Sequence, residues 1–373
     1  MTQIKRTREA NLDLLRIVSM LLIIFLHSID HSGVLEEAEN CSTAMYFYIR
    51  AAYALCQVCV NIYVMLSGFF MINSKFRLQK LASLWMEAAF YSVAFKLLFM
   101  LIGKEAFSVT SLVGCLFPIL TGRYWFLTIY VGMYMISPFL NKLIHSMNKQ
   151  QHGMLNLCLF VIMSVWSSIH PRIAGMNSGG GWGLAWFVVM YLLAAWLRLY
   201  YKPNGKPLRY FAIFVALPII IASAQVVLKN FAIPGADTFL AIVGRWFRYD
   251  SAPVYIMTLC LFVGFMNISV KNEKLSKAII FTAPLTLGVY LIHAHANVSP
   301  WSWEFLNLPP KMASFTFVLI QIACVLGIFV VCAIIDAIRR ATIGKIESSA
   351  FVSNICNKIQ EKSSAVFVKL FNK

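Results

Sequence analysis

Ten long apolar runs dominate this chain, and they leave it only one kind of solvent. They fall near residues 12–30, 50–72, 81–102, 124–143, 154–170, 182–201, 209–229, 251–268, 278–296 and 313–338. A helix crossing a bilayer needs about 20 largely apolar residues, so these runs and their short loops fill most of the 373 positions. Composition agrees: 60% of residues are hydrophobic, 13% are charged, and mean hydropathy is +0.73. A water-soluble domain is about 45–50% apolar and about 25% charged. The expected fold is therefore all-α: a polytopic membrane protein of about ten transmembrane helices. Residues 1–340 read as a single transmembrane domain and 341–373 as a basic tail. An eleventh run at 107–120 is short and contains Pro118, so it reads as interfacial or re-entrant. The opening segment has a charged-then-apolar character but no small-residue cleavage site after it, and it reads as a retained first helix.

The formal net charge of +17 raises nucleic acid as a partner, but the basic residues sit in alternate short loops. Lys5, Arg6 and Arg8, then Lys75, Arg77 and Lys80, then Lys142 and Lys149 share one side. So do Arg198, Lys202, Lys206 and Arg209, then Lys271, Lys274 and Lys277, then the residues after 338. Far fewer fall on the other side, among them Arg50, Arg123, Arg172 and Lys311. Positive loops stay cytoplasmic, so both termini are expected inside, in a multi-pass protein of the cell (inner) membrane whose partner is the lipid bilayer rather than nucleic acid. The tail carries apolar residues at helical spacing (Phe351, Ile355, Ile359; Val366, Leu370) and fits an amphipathic helix on an anionic inner surface, or a solvated tail. Most of the nine cysteines lie in apolar runs, and the lone Cys56–Cys59 pair has no second pair to complete a metal site. No metal is expected.

Ionisable residues inside a membrane cost about 2.5–3.5 kcal/mol on insertion scales and tend to face a cavity or a partner. The first run holds the densest set. Arg16 and His27 are eleven positions apart, about 20° past three full turns, so they share a face about 16 Å apart along the axis. Asp13 stands one turn before Arg16, and Asp30 nearly one turn after His27, close enough to pair with each. A cation near the inner surface suits an anionic group entering from the cytoplasm; a deeper histidine with a carboxylate to hold its tautomer suits a general base. Snorkelling and interfacial roles fit the same positions equally well. Glu87 is expected to orient His27 or to join an ion pair. Lys96 reads as snorkelling, His295 as interfacial, and Asp336 as a local partner of Arg339 and Arg340. Thr286, Tyr290 and His293 form a polar stripe at i, i+4 and i+7. The aromatic clusters around Trp125 and around Trp301 and Trp303 suit an interfacial belt, or stacking on sugar faces at an external mouth.

The sequence "LDLLRIVSMLLIIFLH" resembles the first-helix motif of the integral membrane acyltransferase 3 family. "NIYVMLSGFFM" followed by "SKFRLQK", "YWFLTIYVGMYMISPFL" and "GVYLIH" resemble three further motifs of that family, in the same order along the chain. The resemblance implies O-acylation, most often O-acetylation, of an extracytoplasmic or lipid-linked glycan, with cytoplasmic acetyl-CoA as co-substrate. It implies Arg16 and His27 as the essential pair; Asp30 and Glu87, read above from spacing and intramembrane charge, complete the expected catalytic group. Arg16, Lys75, Arg77, Lys80 and Ser67 are then expected at the CoA, and Trp125, Tyr130, Tyr290 and His293 at the acceptor. The family's loop often carries several arginines, whereas this one reads Lys75-Phe76-Arg77-Leu78-Gln79-Lys80. A transporter or flippase for a glycan or amino acid uses the same kind of polar stripe, but commonly shows internal repeats, and none is visible here.

Overall fold

A computed structural model describes residues 9–169, 179–231, 236–347 and 349–371, without the side chains of 236–237 and 364–371. Lys5, Arg6, Arg8, Arg172 and Lys373, and the side chains of Val366 and Leu370, lie outside that description. Every regular element among the described residues is helical. The long helices are α1 (Ala10–Asp30), α2 (Thr43–Cys56), α3 (Val58–Met71), α4 (Leu78–Leu101), α5 (Trp125–Ser146) and α6 (Lys149–Phe160). They continue with α7 (Leu184–Tyr200), α8 (Pro207–Asn230), α9 (Ala252–Met266), α10 (Glu273–Thr282), α11 (Thr286–His293), α12 (Thr316–Thr342) and α13 (Ala350–Phe371).

Among the described residues, eight stretches are long and apolar enough to cross a membrane, and α7 and α9 are shorter apolar helices. The chain is thus an all-α polytopic membrane protein. Three of the expected spans are broken. The second run starts earlier, at Thr43, and bends at Gln57 between α2 and α3; Ser19 Oγ on α1 donates to the Cys59 carbonyl at 2.7 Å just past the bend. The fifth run passes through a π-helical turn at Val161–Val165 before ending at Ile169. The ninth comprises α10, a 3₁₀ turn at Ala283–Leu285, and α11. The run near 107–120 is the short helix Val109–Leu116.

Burial explains why α7 is short. Its 17 residues span about 26 Å at 1.5 Å each, less than the roughly 30 Å of a hydrocarbon core. Trp186, Phe187, Met190, Tyr191, Ala194 and Ala195 on it are all fully buried, so α7 is sheathed by other helices and need not match the lipid. By contrast α8 and α12 leave rows of large apolar side chains exposed, such as Ile219, Leu319 and Ile338. These face outward where a bilayer would cover them.

Helix α3 packs along α7. A Cβ on Gly68 would sit 2.9 Å from both the Cα and the carbonyl oxygen of Tyr191, so only glycine permits that approach. At the opposite flank, Gly288 on α11 lies against the Asp336 side chain of α12, where a Cβ has no room. The tail helix α13 packs on α4, and Gln360 Oε1 accepts from the Leu78 backbone N–H at 3.0 Å.

Candidate functional site

The first helix lies at the centre of the site. One cavity of about 410 Å³ runs along α1, touching Arg16 near its start and His27, Asp30 and His31 at its end. The 3.6-residue period puts Arg16, Met20, Ile23 and His27 on that wall. Tyr63 and Ser67 of α3, Phe126 and Tyr130 of α5, and Thr286 and Tyr290 of α11 line the middle. Tyr63 donates its hydroxyl to the Arg16 carbonyl at 3.2 Å, which fixes α3 to the lower part of α1.

The cavity has two chemically different ends. Arg16 is half-buried, and its Nη1 lies 3.4 Å from Asp13 Oδ1, the expected one-turn pairing. The Arg16 end adjoins the start of α4, where Leu84 reaches the cavity wall. Lys75, Arg77 and Lys80 are exposed beside it and do not line the cavity. Tyr134 of α5 ties this loop down: its hydroxyl receives the Arg77 N–H at 3.0 Å, and Lys80 Nζ stands 5.9 Å from its ring centre. The start of α5 therefore points to the opposite end, and there Arg123 and Trp125 line the cavity with Trp182 and Tyr249. The three rings converge: Trp125 is 4.3 Å from Trp182 and 6.4 Å from Tyr249, and Trp182 is 5.6 Å from Tyr249. Three aromatic faces around one opening suit an apolar or sugar face better than a charge-bearing anion.

Three histidines meet at that end. The His27 ring stacks on His31 with centroids 4.4 Å apart, and lies 5.1 Å from His293. His27 Nδ1 has no hydrogen-bond partner. Asp30 is not that partner, contrary to the pairing expected from one turn of spacing: its Oδ2 lies 3.8 Å from His31 Nε2. The helix carries the Asp30 carboxylate outward to the exposed His31 ring, while His27 faces the protein. His31 Nδ1 stands 3.5 Å from Ser299 Oγ.

Other candidates lie elsewhere. Glu87 is buried outside the cavity lining, 2.9 Å from Arg339 Nη2. Arg339 also pairs with Asp336 at 2.9 Å and with Glu347, and Arg340 pairs with Asp336 at 2.7 Å. Burial raises the Glu347 carboxyl above the usual range, with Arg339 opposing it. Tyr91 donates to Asp336 at 2.8 Å. This ion cluster reaches the cavity wall through Arg340, which donates to the carbonyl of Pro284, a wall residue, at 2.6 Å. Ser67 lines the cavity, but its hydroxyl donates to Tyr63 O at 3.0 Å.

Several expectations for the outer boundary change. Lys96 does not snorkel; it is buried against Glu105. His295 is buried rather than interfacial, accepting from the Asn297 N–H at 3.1 Å. Trp301 packs edge-on to Phe99 and Trp303 is buried, so neither joins Trp125 at the mouth. Sequence reading missed His31, Arg123, Trp182 and Tyr249. His31 was visible at i+4 from His27; Tyr249 carried no local signal. Among the described residues, no group of three or more His, Cys, Asp or Glu side chains is placed to hold a metal ion.

A protein-family model described as an acyltransferase domain matches residues 9–337. No curated protein and no solved structure matches the chain. The matched stretch begins just before α1 and ends inside α12, so it contains every residue lining the cavity. With its helices long and apolar enough to span a bilayer and this family match over nearly its whole length, the chain belongs to the acyltransferase 3 family and is a membrane acyltransferase.

Proposed function

We propose that the protein moves an acyl group, acetyl first, from cytoplasmic acyl-CoA to a hydroxyl of an extracytoplasmic or lipid-linked glycan, in the cell membrane. The observation that carries this reading is a single cavity with Arg16 at one end, an aromatic mouth that also carries Arg123 at the other, and His27 near that mouth.

Distance decides the roles. Arg16 and His27 are about 16 Å apart along α1, so one thioester carbonyl does not touch both. The pantetheine arm has about a dozen backbone bonds, equivalent to about four extended residues at about 3.5 Å each. That length lets an anionic or polar group of the donor rest at Arg16 while the thioester reaches His27. Lys75, Arg77 and Lys80, exposed outside the same end, are positioned for the CoA phosphates, which lysine and arginine bind well. The acceptor enters past Trp125, Trp182 and Tyr249, with Tyr130 and Tyr290 on the walls.

In the transfer, His27 Nε2 removes the proton of the acceptor hydroxyl as its oxygen attacks the thioester carbonyl. The C–S bond then breaks, and the proton passes to the departing thiolate. The products are an ester and free CoA. Glu87, held by Arg339, takes no direct part in this scheme.

The test is CoA release from acetyl-CoA by purified protein given saccharide acceptors, with product esters read by mass spectrometry. Wild-type turnover that falls at least about 100-fold in His27→Ala, at unchanged yield of folded protein, supports the reading. Normal acylation by His27→Ala overturns the mechanism. Absence of acyl-CoA binding and turnover in the wild type overturns the function.

A further inference from the structure

Two buried ring nitrogens in the site lack partners: Nδ1 of His27 and Nε2 of His293. Buried polar atoms are nearly always paired, so two orphans on neighbouring rings call for an explanation. The ring centroids lie 5.1 Å apart with planes tilted by 43°. The two nitrogens do not bond to each other directly, and at that separation of the rings one water can bridge them.

The chemistry of His293 fixes the direction. Its Nδ1 stands 2.6 Å from the Val289 carbonyl, four residues back on α11. A carbonyl only accepts, so Nδ1 carries the hydrogen and Nε2 of the neutral ring is left as an acceptor. The nitrogen it needs is a donor, and His27 Nδ1 is the orphan beside it. No carboxylate competes, because Asp30 is turned to His31.

We infer that His293 Nε2 accepts from Nδ1–H of His27 through one bridging water, and thereby holds the lone pair of His27 Nε2 toward the cavity. The proposal rests on His27 being the base of the reaction above, and it makes His293 a positioning residue rather than an acceptor contact. When Nε2 takes the hydroxyl proton, the Nδ1–H bond to the bridging water persists, so the ring need not turn before it returns the proton to the thiolate. The stacked His31 ring restricts the same rotation from another side.

The test uses full-length protein in nanodiscs with ¹⁵N-labelled histidine, the His27 signals being those lost in His27→Asn. Without substrate, wild-type His27 is expected to show a protonated Nδ1 and a pyridine-like Nε2. His293→Ala is expected to give a mixed tautomer, and His293→Gln, whose side-chain oxygen also accepts, to restore the wild-type pattern. In turnover, His293→Ala is expected to lower kcat at least about tenfold with KM for both substrates within about twofold, and His293→Gln to recover most of it. A wild-type His27 protonated at Nε2, or a raised KM at unchanged kcat in His293→Ala, overturns the inference. The spectra need no turnover, so a wild-type protein without acyl transfer overturns the proposed function alone.

Discussion

His31 lies over His27 one turn along α1, with ring planes 18° apart and centroids 4.4 Å apart. A stacked aromatic pair contributes about 0.5–1.5 kcal/mol beyond its buried area. The stack restrains the ring that faces the cavity, while Asp30 and Ser299 hold the outer ring in place. His31→Phe keeps a stacking face and is expected to retain kcat within about twofold. His31→Ala is expected to lower it about two- to tenfold. Steady-state rates of CoA release check both; equal effects of the two variants would show that stacking is not what matters.

Arg16 stands far enough from His27 to separate binding from chemistry. Arg16→Ala is expected to raise KM for acyl-CoA about 10- to 100-fold, the loss of one charge-assisted contact. The acceptor KM and kcat at saturating donor should change little. Arg16→Lys should fall between. A loss confined to kcat would put the guanidinium at the reacting carbonyl instead.

Trp125, Trp182 and Tyr249 surround the other end. Replacing either tryptophan by alanine is expected to raise KM for the glycan about two- to tenfold and to leave the donor KM unchanged. Initial rates over a matrix of both substrates separate these constants. A shift in donor KM would move the aromatic mouth to the donor side.

Gly68 sets the distance between α3 and α7. A methyl at this position meets the Tyr191 backbone, which cannot rotate away as a side chain would. Gly68→Ala is expected to cost about 1–3 kcal/mol and to lower the melting temperature in detergent. Ser67→Ala, which keeps the close approach, should melt within a degree or two of wild type. Equal melting of Gly68→Ala and wild type would mean the helices part without cost.

Arg339 joins Glu87, Asp336 and Glu347, all on buried or half-buried ground. Removing one partner of a buried charge pair costs about 3–5 kcal/mol because the other is left uncompensated. Arg339→Leu is expected to abolish a monodisperse size-exclusion peak. Glu87→Gln should be milder, and the Glu87→Gln/Arg339→Gln double variant less damaging than the sum of the singles. Additive losses would deny the coupling.

The apolar runs and loop charges made the class of fold legible, because a spanning helix must be apolar along its length and its ends must respect charge. Two of the three breaks were not legible; the third holds Pro284. Gln57 and the π-helical turn at Val161–Val165 carry no proline, and the break is set by how neighbouring helices pack. On α1, periodicity alone placed Arg16 and His27 on one wall, and the cavity follows that wall. The partners of His27 come from α11 and from the next turn, and a one-turn rule could not tell whether Asp30 faces inward or outward. Glu87 was readable as an intramembrane charge, but its partner lies on the last long helix, and no local pattern links the two. Lys96 was misread for the same reason: its partner Glu105 sits in a loop after α4.

The ion cluster also sets a timetable. Tyr91 and Asp336, which bond within it, are 245 positions apart. At about 5–20 residues per second, roughly 10–50 s of synthesis separates their emergence. Throughout that interval Glu87 on α4 is without Arg339, its partner in the folded protein. The enzyme is therefore completed from its C-terminal end. A chain that stops before α12 leaves its first helix in place but its scaffold open, and such a chain is a natural target for membrane quality control.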